Sequence, residues 1–113
     1  MNKRDETRLR DMLDAAQHAR SFVQGKTRRN LDADIVLSFA VVRALEIIGE
    51  AASRVTAETR SALTGIPWKA MFGMRNRIIH DYDQVDYDIV WLTITDDIPS
   101  LIAELERILI IEE

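Results

Sequence analysis

The chain of 113 residues contains no cysteine. That excludes disulfides, thiolate nucleophiles and cysteine-ligated zinc together. Glycine is scarce, and no G-x-G-x-x-G or Walker spacing occurs, so the sequence builds no loop that cradles a nucleotide's phosphates. Histidine is limited to His18 and His80, and proline to Pro67 and Pro99. Long apolar runs are missing as well. The longest nearly apolar stretch, Ile35 to Val42, is far too short to span a bilayer. The opening MNKRDETRLRD has positive charges without an apolar segment behind them, so a cytoplasmic protein is expected. An excess of positive charge is also lacking. With a net charge of -4 and a pI near 5.2, any binding of nucleic acid has to come from a local basic patch.

The chain has the composition of a soluble globular protein, 47% apolar and 30% charged, which argues against intrinsic disorder. Its length predicts a single domain over residues 1–113, small enough that dimerisation would add substantially to the buried surface. Leu9, Met12, Leu13, Ala16, Ala19 and Val23 recur at three-and-four spacing and predict a first amphipathic helix from Asp5 to Gln24, with Gly25 at its end. His18 lies off that stripe and reads as a solvated surface residue. The segment GKTRRN is expected to be a polar connection.

Asp32 or Asp34 can cap a second helix running to about Ala57. Its stripe is Leu37, Val41, Leu45, Ile48, Ala52 and Val55, with Val36, Phe39, Val42 and Ile47 on the flanks. An apolar arc that wide implies burial on two sides. Either the second side is a subunit interface, with Gly49, Ala51 and Ala52 allowing close helix approach, or the helix lies wholly inside a monomer. Glu58 to Pro67 reads as a turn holding at most one helical turn, and Pro67 suits the first position of a third helix. That helix is expected to carry Trp68, Met71, Phe72, Met74 and Ile78 inward and to end near His80 or Tyr82. After a polar DYDQVD connection, Asp86 and Asp88 start a last helix reaching about Glu112, kinked at Pro99. The expected fold class is therefore all-α, an antiparallel four-helix bundle with a short extra helical turn.

Chemistry concentrates in WKAMFGMRNRIIHDY, Trp68 to Tyr82. If the third helix continues to His80, Asn76 and His80 share a face and Arg75 reaches toward it, so the three could meet one phosphodiester. Arginine offers a planar, permanently charged fork for phosphate oxygens. Histidine both accepts and donates a proton near neutral pH. Such parts suit RNA cleavage by attack of the ribose 2′-OH, giving a 2′,3′-cyclic phosphate and a 5′-OH without a metal. One histidine must then serve twice, or a dimer must bring two copies of His80 and Arg75 to one cleft. On spacing alone, Arg75 could equally pair with Asp81 or Asp83, and His80 could sit at a helix end that favours its charged form. The acidic residues Asp81, Asp83, Asp86 and Asp88 lack the glycine and distal glutamate of a calcium loop, so no metal is expected.

The arrangement R-x4-H-x-Y, formed by Arg75, His80 and Tyr82 in GMRNRIIHDY, resembles the signature of the HEPN superfamily of helical ribonucleases. Within it the chain is similar to the HepT toxin family, through RALEIIGEAA at Arg43 to Ala52, IPW at Ile66 to Trp68 and VDYDIVW at Val85 to Trp91. The resemblance implies a homodimeric HEPN-like bundle acting as an endoribonuclease toxin. It implies as partners an RNA substrate and a minimal nucleotidyltransferase antitoxin, which attaches AMP to the motif tyrosine, here Tyr82. Arg75 and His80 take the catalytic roles and Asn76 a supporting polar one. A phosphate added at Tyr82 would bring negative charge beside the site and repel RNA. Lys26, Arg28, Arg29, Lys69 and Arg77 are the candidate RNA-facing charges. No cofactor is expected. The alternative is a non-catalytic HEPN-like interaction module that binds a nucleotidyltransferase or a nucleotide through the same residues.

Overall fold

The computed structural model describes residues 1–81 and 84–112, and for His80, Asp81, Ile111 and Glu112 the backbone only. Asn2 opens α1 (Lys3–Val23), its side chain accepting from the Asp5 N–H at 2.8 Å. Gly25 follows with a φ of 75°, a left-handed conformation that glycine adopts without steric cost just past a helix end. The segment expected as a polar connection contains instead a short helix, α2 (Arg28–Ala33), started by a capping box between Thr27 and Asn30. Asp34 then caps α3 (Ile35–Ser53), accepting from the Leu37 N–H at 3.1 Å. α4 (Ala57–Ala62) is the expected short turn, somewhat longer than one turn.

Pro67 is the N-cap of α5 (Trp68–Ile78), one position before its first turn. Beyond it come two short antiparallel strands, β1 (Ile79–Asp81) and β2 (Gln84–Val85). Asp86 caps α6 (Tyr87–Leu92), which continues through a π-helical turn at Thr93–Asp97 into α7 (Ile98–Glu112). The kink expected at Pro99 takes this form. An α-helix would bring the proline ring against the carbonyl four residues back and leave that carbonyl without a donor. In the widened turn the Ile98 N–H bonds to the Thr93 carbonyl five residues back, and the helix passes the proline without breaking.

The fold is all-α, with α1 packed against α3 and α7, and α3 also against α5. The predicted stripes meet in the centre. Leu9, Met12, Leu45, Ile48, Met74, Ile78, Ile94, Ile98, Ile102 and Leu105 are all essentially inaccessible to solvent. Each such side chain contributes about 1.5–3 kcal/mol, whereas an exposed ion pair such as Arg43–Glu50 contributes about 1 kcal/mol at most. Packing of these stripes, not surface charge, holds the bundle.

Three expectations about packing change. Phe72 does not point inward; it is 41% exposed, because Met71, Met74 and Ile78 already fill the face of α5 that meets the core. Val36 and Phe39 are 74% and 67% exposed, so α3 is not wholly inside a monomer. Gly49 serves packing within the chain, since a Cβ built there would lie 3.2 Å from the Met71 carbonyl oxygen on α5. Gly49→Leu should therefore push α5 off α3 and cost about 1–3 kcal/mol, read as a lower melting temperature.

Candidate active site

The chemistry-bearing segment changes conformation within itself. α5 ends at Ile78, where the β-branched pair Ile78–Ile79 leads into extended backbone, with φ -116° and ψ 106° at Ile79. The carbonyls freed at this end are met locally. The Ile79 N–H bonds to Arg75 O, and the Asp86 N–H donates to Ile78 O at 2.8 Å. His80 consequently lies on β1 and not on the helix, and the shared helical face expected for Asn76 and His80 does not exist. The helix expected to end near His80 or Tyr82 stops at Ile78.

Strand pairing is irregular at that point. Ile79 faces Val85 and Asp81 faces Gln84, with the register shifting between Ile79 and Asp81, so the extra residue of the bulge is His80. Bulges are common beside active sites, where they re-aim a side chain. The His80 side chain lies outside the described residues, as does Tyr82 altogether.

Arg75, Asn76 and Arg77 occupy the last turn of α5, all exposed. Two guanidinium charges at the carbonyl end complement the helix dipole. Arg75 also meets Glu46 of α3, Nε to Oε2 at 3.4 Å, with the arginine side chain 66% exposed. A long, solvated contact of this kind is weak, and a phosphate dianion or diester oxygen can displace it. Glu46 thus holds Arg75 near the α3–α5 seam without burying its charge.

The five candidate RNA-facing charges are carried by the α1–α2 connection, α2 and α5. Arg28 is engaged, with Nε 2.7 Å from Asp88 of α6 and Nη1 3.0 Å from Asp32, so it ties α2 to α6. Lys26 and Arg29 are exposed beside it at the α1–α2 corner. Lys69 is exposed near the start of α5, while Arg77 borders a shallow pocket with Asp96, Asp97 and Ser100. Arg28→Ala should lower stability more than RNA affinity, a difference that thermal melting and oligonucleotide binding measured on the same protein would resolve. His18 lies elsewhere, exposed on α1 and stacked on Phe22 at 6.0 Å, as its place off the apolar stripe implied.

A bundle with an R-x4-H-x-Y segment at a helix-to-strand break can be compared with known proteins. The family described as ribonuclease HepT-like matches residues 12–108, and the chain belongs to it. A "putative RNase" of Methanocaldococcus jannaschii is 36% identical over 107 residues, 94% of this chain and 98% of that protein. The "probable ribonuclease HepT" of Thermococcus cleftensis is 34% identical over 108 residues, 96% of this chain and 98% of that one. A further "putative RNase", of Caldanaerobacter subterraneus, is 42% identical over 87 residues, 77% of this chain and 78% of its own length. No solved structure matches the chain. Among the described residues no helix is long and apolar enough to cross a membrane.

Proposed function

We propose that the chain is a single-domain, metal-independent endoribonuclease in which Arg75 and His80 act on one phosphodiester. The observation that carries this reading is the break at Ile78–Ile79, which leaves Arg75 and Asn76 in solvent at the end of α5, directly before the bulge at His80. His80 takes the proton from a ribose 2′-OH, the freed oxygen attacks the adjacent phosphorus, and the bond to the 5′ oxygen breaks. That oxygen takes a proton from imidazolium and leaves as a 5′-OH, with a 2′,3′-cyclic phosphate on the other fragment. Arg75 binds the nonbridging oxygens and offsets the charge that develops on them. Asn76 orients an oxygen without adding charge. Relatives named as RNase or ribonuclease support RNA as the substrate. A single 2′-deoxy nucleotide placed in an otherwise all-ribose oligomer should block cleavage at that linkage alone; cleavage there at the normal rate would rule out this mechanism.

The working unit in this reading is a homodimer. Ile35, Val36 and Phe39 on the first turns of α3 are 67%, 74% and 67% exposed, an apolar face that a second copy would cover. The face runs along α3 toward Glu46, the partner of Arg75, so pairing there would bring two sites near one another. Phe39→Asp should turn dimer into monomer by light scattering, with little change in helix content. Two copies of His80 would then supply base and acid together. Tyr82, two residues beyond His80 in sequence, is the control point: a nucleotidyltransferase antitoxin that transfers AMP from ATP to its hydroxyl, with release of pyrophosphate, would add phosphate charge next to the motif and shut the toxin off.

A further inference from the structure

The exposed ring of Phe72 is the feature that core packing leaves unexplained. It is 41% accessible and lies on α5, the helix that carries Arg75 and Asn76. At 100° per residue, Trp68, Phe72 and Arg75 fall within an arc of about 60°, and Asn76 lies about 40° beyond Phe72. The face is thus continuous from Trp68 to the candidate phosphate site. Its parts differ in how they are held. Trp68 is half-buried and anchored, its Nε1–H donating to the Leu63 carbonyl at 3.0 Å. Phe72 stands beside it, ring centroids 6.4 Å apart and planes inclined by 32°. From α4 the Arg60 guanidinium lies over the Phe72 ring, 4.9 Å from its centroid. With that cation on it the residue still keeps 41% of its surface exposed.

We infer that Phe72, backed by Arg60 and steadied by Trp68, is a stacking platform for the RNA base next to the phosphate held by Arg75. The inference rests on the ribonuclease reading for its substrate. Charge selects RNA over a protein surface as the occupant, since Arg60 lies over the ring and Lys69 and Arg75 stand three residues to either side of Phe72 on α5, cations suited to a phosphodiester chain. Spacing agrees. One helical turn, about 5.4 Å, separates Phe72 from Arg75 and Asn76, the scale of the step from a nucleobase to its own phosphate. Stacking tolerates every base, because each has a π-face, so the site would give affinity and registration with little sequence preference.

The test compares wild type with Phe72→Ala, Phe72→Leu and Phe72→Tyr. Affinity for a cleavage-resistant 2′-O-methyl oligoribonucleotide is measured by anisotropy, and KM and kcat are measured on the cleavable oligomer. Expected are roughly 5- to 100-fold weaker binding and a raised KM for the Ala and Leu variants, a nearly constant kcat, and recovery with Tyr. Melting temperature and dimer mass should stay at wild-type values, since the ring is not in the core. Unchanged affinity in Phe72→Leu would overturn the platform, as would a loss of dimer that accounts for any loss of binding, or absence of oligomer binding by wild type. Because the binding measurement needs no cleavage, failure of wild type to cut RNA would sink the nuclease reading while leaving the stacking result separately visible.

Discussion

His80→Ala should lower RNA cleavage by roughly 10²- to 10⁴-fold, the usual worth of a positioned proton-transfer group. Binding of a cleavage-resistant oligomer should hold near the wild-type value, because the proposed mechanism gives the phosphate contact to Arg75. Arg75→Lys makes the complementary statement. It keeps the positive charge but loses the planar fork, and about a tenfold or greater loss of kcat/KM is expected. Asn76→Ala should cost less than either, since the amide only orients. A His80→Ala protein that cleaves at the wild-type rate would remove histidine from the chemistry, whatever the remaining residues do.

Asp5→Ala is expected to have the largest effect on stability of any single change outside the apolar core. The Asp5 carboxylate is 1% exposed and joins the start of α1 to the start of α4. It accepts from the Thr56 hydroxyl at 2.6 Å, the Thr56 N–H at 3.1 Å, the Thr59 hydroxyl and the Asn2 amide at 3.2 Å. Removing it leaves several donors in a half-buried site without their acceptor, at a cost of about 2–4 kcal/mol. For a domain of this size that corresponds to a melting temperature lower by roughly 10–20 °C.

The same residue sets a pH dependence. Burial pushes the Asp5 carboxyl up, but hydrogen bonds from Thr56, Thr59 and Asn2 outweigh it and hold the group below its ordinary value of 3.8. A carboxyl with a lower pKa in the folded state adds stability above its unfolded pKa. That stability is lost as pH falls through the folded value. Wild type should therefore lose stability in acid through this latch, and Asp5→Asn should be weaker at neutral pH with a flatter acid limb. Chemical denaturation at pH 7 and at successively lower pH would measure both.

Much of the fold was readable because the apolar stripes are long and regular. Leu9 to Val23, Leu37 to Val55 and Ile94 to Leu109 each keep helical phase over several turns, and the structure buries them together. Boundaries depended on shorter-range chemistry. The capping box at Thr27 and Asn30 lies inside a run that looks merely polar, so α2 was missed. The hairpin after α5 was hidden for a similar reason, since DYDQVD offers no alternation and its pairing depends on the tertiary setting of Ile79 and Val85. Periodicity cannot tell which flank of a short helix meets a neighbour, so Phe72, inward by its spacing, stands 41% exposed. Asp5 looked like an ordinary first-turn acid, and only the approach of Thr56 and Thr59, more than fifty residues away, makes it a buried acceptor.

The site was legible to a different degree. Arg75, Asn76, His80 and Tyr82 stood out through their chemistry and their order, which the family match over residues 12–108 accompanies. Their geometry was not legible. A helix carried through His80 would have put Asn76 and His80 in one row, whereas the β-branched Ile78–Ile79 step turns the backbone to extended form and sets His80 at a bulge. Arg28, singled out for RNA by charge alone, is held by Asp32 and Asp88, because sequence shows a charge but not its distant partner.

The most direct measurement is the identity of the ends that the protein leaves on RNA in EDTA, using chain whose intact mass shows Tyr82 unmodified. The account predicts 2′,3′-cyclic phosphate and 5′-OH ends, both reduced by roughly 10²- to 10⁴-fold with His80→Ala. Products with 5′-phosphate and 3′-OH ends that form only when a divalent metal is added would contradict it. So would RNA left uncut but still bound equally by wild type and His80→Ala, which would make the chain a binding module.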